Sequence, residues 1–151
     1  MSPKENLINQ LRQILPGILQ DTPVMLAYLY GSIATGNALP TSDVDIALVL
    51  CHTETDSSLL PAERLQLELA VESALEQVGI RKPDVRLIDN LPILFRGQVA
   101  LQGVRLFSRD EVARVEFETR TWKEYLDFEP VIQMMRQAFF KAIQEHGFKL
   151  G

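Results

Sequence analysis

The segment YGSIATGNALPTSDVDIALVL, residues 30–50, joins two apolar runs through a glycine-containing turn and sets two aspartates at the start of the second run. The first run, VMLAYLY (24–30), reads as a short buried strand that ends at Gly31, and VDIALVL (44–50) reads as a second strand. Between them, Gly36, Asn37 and Pro40 break any long element and leave a turn with room for one helical turn. Residues 31–42 are too few for an ordinary parallel crossover, so the two strands are expected to be antiparallel neighbours. Side chains alternate along a strand, which puts Asp43 and Asp45 on one face, two residues apart.

Two carboxylates that close repel each other and need a counter-ion. A divalent cation supplies one. Magnesium favours one or two carboxylates together with phosphate oxygens, and two such ions about 3.5–4 Å apart can serve both the entering and the leaving oxygen of a phosphoryl transfer. Gly31 suits a close backbone approach at positive φ, and Ser32 offers a hydroxyl and an amide to a phosphate. A third acid would complete the site. Asp84 opens the run DVRLID (84–89) and is the choice; Asp89, five residues on, should face the other way. Arg86 shares the face of Asp84 and is placed to contact a nucleotide or to pair with the acids.

Away from this segment the pattern is α-β-(turn)-β-α-β-α-(β)-α. A helix is expected over 4–20, started by Ser2 and Pro3 and broken or bent by Pro16, with Leu7, Leu11, Ile14, Leu15 and Ile18 inward. A polar surface loop at 52–58 precedes a helix at 61–78 with Leu65, Leu69, Ala70 and Val78 inward. A short helix near 91–102 leads to an edge strand, VRLFS (104–108). A long helical region should run from Asp110 to about Glu145, interrupted at Pro130. This order predicts a mixed sheet with flanking helices, of the α/β (α+β) class, as one domain over 1–151 with a helical C-terminal region at about 110–145.

Composition narrows the function. The chain has 151 residues, 15 basic and 20 acidic side chains and a formal net charge of −5, a poor balance for displacing counterions from nucleic acid, so no direct nucleic-acid binding is expected. Cys51 is the single cysteine, and with His52 and His146 alone it forms no zinc cluster. No apolar stretch nears the ~20 residues of a membrane span, and MSPKENLINQ lacks a secretory signal's apolar segment, so no membrane association and a cytoplasmic location are expected. Ser32 as a hydrolase nucleophile would need a positioned histidine, and His52 lies beyond the far end of the strand from Asp43.

The spacing G-S-x10-D-x-D followed at once by a strand resembles the signature of the DNA polymerase β-type nucleotidyltransferase superfamily. More narrowly, the segment resembles the minimal nucleotidyltransferase (MNT) antitoxins paired with HEPN-domain ribonuclease toxins. The resemblance is strong over 24–50 and weaker over 84–89. It implies a polymerase β-like fold, with Gly31 and Ser32 as the nucleotide-phosphate turn and Asp43, Asp45 and Asp84 as the catalytic metal ligands. It also implies Mg²⁺ as cofactor, ATP as substrate, and transfer of AMP to a hydroxyl, that of a tyrosine, of a cognate HEPN toxin. Two other readings stay open. One is a non-catalytic antitoxin that acts by occlusion; the other is an aminoglycoside-type nucleotidyltransferase whose drug-binding wall comes from residues 110–145.

The stretch VIQMMRQAFFKAI (131–143) bears on the choice. Val131, Met135, Phe139 and Ile143 form a stripe that Ile132, Met134 and Phe140 widen. Such a helix either caps its own sheet or buries its apolar surface against another protein. Trp122, Tyr125 and Phe128 pose the same choice, while Cys51 reads as a packed strand residue.

Overall fold

Ser2 starts the first helix. Its hydroxyl accepts from the Glu5 amide at 3.2 Å, and its own amide donates to the Glu5 carboxylate at 3.4 Å, a reciprocal cap that satisfies two donors at once. Pro3 follows as the first helical residue of α1 (Pro3–Ile18), where its missing N–H costs nothing. Pro16 falls in the last turn and the helix stops at Ile18, short of the expected end at residue 20. The computed structural model describes residues 2–38, 41–51 and 59–147; the expected loop at 52–58, with His52, and the breaker Pro40 fall outside them.

The elements that follow are β1 (Val24–Tyr30), α2 (Gly31–Thr35), β2 (Val44–Leu50), α3 (Pro61–Gln77), β3 (Pro83–Leu87), α4 (Ile93–Gln102), β4 (Val104–Ser108) and α5 (Glu111–His146). The strands form one mixed sheet in the order β3-β2-β1-β4. β1 is antiparallel to β2, as the short turn requires, and antiparallel to β4 on its other side; β3 is parallel to β2 after the α3 crossover.

Helices cover both faces of the sheet. Val44, Ile46, Leu48 and Leu50 of β2 join Leu11 and Leu15 of α1 and Val71 and Leu75 of α3 in one core. The alternate residues Ala47 and Val49 join Val99 of α4 and Phe117 of α5 in the other. Burial on both faces explains why the two inner strands read as unbroken apolar runs rather than as alternation. Cys51 packs against this second core.

Both sheet edges are capped by side chains. On β3 the Val85 amide donates to Glu72 at 2.9 Å and the Leu87 amide to Glu68 at 3.3 Å, both from α3. On β4 the Arg12 guanidinium donates twice to the Arg105 carbonyl, at 3.1 and 2.9 Å. These contacts occupy groups that would otherwise template another strand.

They also overturn the expected inner face of α3. Val71 and Leu75 are buried, whereas Leu65, Leu69, Ala70 and Val78 lie outward. Apolar residues occur on both sides of this helix, so its pattern does not choose a face. The glutamates that cap β3 do, because they must turn toward the sheet edge.

α5 departs from expectation in a second way. Asp110 caps it, accepting from the Val112 and Ala113 amides, and the helix then runs without interruption through Pro130 for 36 residues, roughly 54 Å. Proline removes one amide, but the carbonyl it leaves free belongs to Leu126, an exposed position open to water. The first half is anchored: Phe117 and Thr121 are buried, Tyr28 donates its hydroxyl to Glu118 at 2.7 Å, and Tyr125 lies against Gly97 of α4 so closely that any Cβ there would collide with its ring. Burial pushes the Tyr28 hydroxyl far above its ordinary pKa, and the bond to Glu118 adds to this, so it stays a donor. The second half is not anchored. Met134, Met135, Phe139 and Phe140 are 69%, 64%, 56% and 61% exposed, so this stretch does not cap its own sheet. Trp122 and Phe128 are exposed as well, in contrast to Tyr125.

Candidate active site

The strand register builds the site row by row. Tyr30 at the end of β1 pairs with Asp45 of β2, and Asp45 pairs with Asp84 of β3. Parity places Tyr30, Asp45, Asp84 and Arg86 on the sheet face covered by α4 and α5, at the end where the chain turns into α2. Asp43, two residues before Asp45, reaches the same place from the loop. One carboxylate oxygen from each of Asp43, Asp45 and Asp84 lies within 4.8 Å of the others.

Gly31 closes the arrangement. Its φ is +75°, and a Cβ at this position would collide with the Asp45 carboxylate, so the turn and the acids are in direct contact. Only glycine meets both demands. Ser32 follows in the first turn of α2, which ends at Gly36 in the left-handed conformation.

The electrostatics are those of three crowded carboxylates. Partial burial pushes the Asp45 carboxyl up from its ordinary value, and the neighbouring Asp84 and Asp43 push it further, against the opposing pull of Arg86. The Arg86 guanidinium stands 3.7 Å from the Asp84 carboxylate at a partly exposed position and cannot neutralise three acids. The donor set is all oxygen and anionic, which suits a hard divalent cation such as Mg²⁺.

The family described as Polymerase beta, Nucleotidyltransferase matches residues 12–112, which span β1 to β4 with all three acids. The chain belongs to the polymerase beta nucleotidyltransferase family. No curated protein matches it significantly. Among solved structures, a toxin–antitoxin with AMP-PNP is similar over 88% of this chain and 98% of its own, at 24% identity and a TM-score of 0.61. The Shewanella oneidensis structure of a tri-AMPylated HEPN toxin in complex with MNT antitoxin is similar over 91% and 98%, at 22% identity and a TM-score of 0.59. The toxin–antitoxin MntA-HepT gives 22% identity and a TM-score of 0.58 over 90% and 98%. At these identities the likeness is one of fold.

Asp89 does not join the acids of this nucleotidyltransferase. It lies past the end of β3, where its carboxylate accepts from the Leu50 amide at 3.2 Å and closes the far end of β2. The two aspartates should therefore respond differently to substitution. Asp84→Ala is expected to lose most of the transfer rate yet retain part of the nucleotide affinity, because the Gly31–Ser32 turn survives. Asp89→Ala should transfer at near wild-type rate while losing about 1 kcal/mol of stability in urea unfolding, from the unpaired Leu50 amide. The reverse ranking in transfer rate would exchange their roles.

Two clefts adjoin the site, one at Gly31 and the other at Arg86. One, about 270 Å³, is lined by Tyr30, Gly31, Phe95, Gln98, Val99 and Gln102, among others. The second, about 320 Å³, is lined by Arg86, Leu91, Pro92, Leu94, Phe95 and Gln98. Phe95 and Gln98 of α4 are common to both. The Tyr30 ring meets Phe95 edge to face at 5.5 Å, and burial with the nearby Asp45 pushes the Tyr30 phenol up to about 12, so it stays protonated at neutral pH. The one available signal was the spacing of Gln98 and Gln102, four residues apart on a predicted helix.

Proposed function

We propose that this chain is a single-domain, cytoplasmic antitoxin that transfers AMP from ATP to a hydroxyl, that of a tyrosine, on a cognate HEPN toxin and so silences it. The observation that carries the reading is the convergence of Asp43, Asp45 and Asp84 beside the Gly31 turn in a member of this family. Similar folds occur in a toxin–antitoxin with AMP-PNP and in the complex of a tri-AMPylated HEPN toxin, which makes the same division of labour the natural one here.

Asp43, Asp45 and Asp84 would hold Mg²⁺, in a one- or two-ion site, which when bound supplies charge neutralisation at the phosphates and lowers the pKa of the acceptor hydroxyl. Gly31 lets the backbone approach the triphosphate, and the Ser32 hydroxyl and amide donate to it. Arg86, paired with Asp84, adds a positive charge on the acceptor side. The toxin hydroxyl oxygen bonds to the α-phosphorus of ATP, the bond from that phosphorus to the bridging oxygen breaks, and pyrophosphate leaves. The hydroxyl proton passes to solvent past Asp84. The exposed apolar half of α5 is where the toxin would dock, so binding and modification are separable.

Incubation with ATP, Mg²⁺ and the toxin encoded beside this gene should add the mass of one or more AMP groups to the toxin. The modified toxin should stay inactive after this protein is removed. Asp43→Asn should fail to protect cells at low dose and protect at high dose through binding alone. Met135→Glu with Phe139→Glu should weaken protection by both routes. Occlusion is the better reading if Asp43→Asn protects as wild type does at every dose with no AMP on the toxin; the extent of exposed apolar surface on α5 is what favours that second reading. AMP transfer to an aminoglycoside but not to the toxin would overturn both.

A further inference from the structure

We infer that a second ligand site lies in the groove between α1, α2 and the start of β2, and that it takes a small amphipathic anion, an alkyl chain ending in a carboxylate. The groove measures about 640 Å³, larger than the clefts at Gly31 and Arg86 and within the usual range of small-molecule sites. The buried Val44 and Ile80 and the half-buried Leu7 and Ile33 give it an apolar lining. All four belong to the core on the sheet face opposite Asp45 and Asp84, so this groove is separate from the place proposed for the nucleotide.

The charged groups at the groove have one sign. Lys4 and Arg81 line it, and none of the described lining residues is acidic, in a chain whose net charge is −5. The Lys4 ammonium donates to the Ala34 carbonyl at 2.8 Å, which holds the cation in place instead of leaving it to extend into solvent. A fixed ammonium beside apolar surface suits a carboxylate joined to a hydrocarbon chain. The chain takes apolar area out of water, and the head meets a charge that loses little freedom on binding. A neutral amphiphile gains only the apolar part, and a cationic one is repelled by Lys4 and Arg81.

The test needs neither toxin nor nucleotide. Decanoate, kept below the concentration at which it forms micelles, is the probe, with decanol and decyltrimethylammonium as neutral and cationic controls. Calorimetry should show decanoate binding one to one and about tenfold more tightly than decanol, with the cationic control weaker still. Amide shifts on binding should centre on Leu7, Ile33, Gly36 and Val44. Lys4→Met should weaken decanoate about tenfold and Arg81→Gln up to about fivefold, while decanol binds both variants as it binds wild type. Arg81 is exposed, so Arg81→Gln keeps the charge test intact even if loss of the Lys4 bond lowers the melting temperature. Absence of decanoate binding, equal affinity for the three amphiphiles, or decanoate affinity unchanged in both variants would overturn the site. Shifts centred on Met135 and Phe139 would place the chain on α5 and overturn it as well. Dimerisation of the free chain that decanoate reverses would make a second copy the occupant, and would equally overturn the small anion.

Discussion

Asp45→Asn should reduce nucleotidyl transfer to background, a loss of roughly a thousandfold or more, while the protein melts at or slightly above the wild-type temperature without metal. Charge stabilisation by a bound cation is worth several kcal/mol in such a transition state, and ~4 kcal/mol corresponds to about a thousandfold. Asn keeps the shape of Asp45 and removes the charge proposed to hold the ion. The stability change has the opposite sign for a definite reason. Burial and the neighbouring Asp84 and Asp43 raise the folded-state pKa of Asp45, so ionising it disfavours the folded chain. That penalty is absent below the unfolded aspartate value of about 4 and fully felt above the raised folded value. The variant's advantage over wild type should therefore appear as pH rises through that window and vanish below it. Added Mg²⁺ should raise the melting temperature of wild type and leave the variant nearly unmoved. Labelled ATP and melting curves with and without Mg²⁺ measure both effects, and full transfer by Asp45→Asn would remove the metal assignment.

Gly31→Ala should damage both stability and activity, through two causes that can be separated. At φ +75° an L-residue costs about 1–2 kcal/mol, or about 3–6 °C in melting temperature for a chain of this size. The added methyl also collides with the Asp45 carboxylate and must displace it. A misplacement of about 1 Å at a reacting centre costs about a hundredfold in rate. Gly36→Ala isolates the first cause. Its φ is +85°, and a Cβ there meets nothing within 4 Å. It should lose about 1–2 kcal/mol, no more than Gly31→Ala, and keep most of the transfer rate. Equal rate losses in the two variants would show that backbone strain, rather than the contact with Asp45, is what matters at Gly31.

The separation of local from tertiary determinants follows the physics of each element. Strand alternation and the shortness of the 31–42 connection are local facts, and they were enough to pair β1 with β2 in the expected antiparallel sense. The need for glycine at position 31 was also visible as a conformational preference. That its missing side chain makes room for Asp45 was not, because the contact joins two strands.

The third acid shows the boundary most clearly. Parity along a strand can say that Asp84 and Asp89 face opposite ways, but not which of them meets Asp45. The parallel register of β3 on β2, set by the α3 crossover, puts Asp84 opposite Asp45 and sends Asp89 to close the Leu50 amide. Helix faces were decided in the same way. α3 is apolar on two sides, and two glutamates capping the β3 edge chose between them. For α5 the pattern 131–143 was legible as an apolar surface, yet its exposure depends on the helix continuing through Pro130 and outrunning the sheet it packs on. The sequence by itself determined the turn, the strands and the paired aspartates, because backbone sterics and period-two alternation act within a few residues. Tertiary structure alone decided the third carboxylate, the clefts around Phe95 and Gln98 and the uncovered half of α5, because each depends on which distant surfaces the packed sheet brings together.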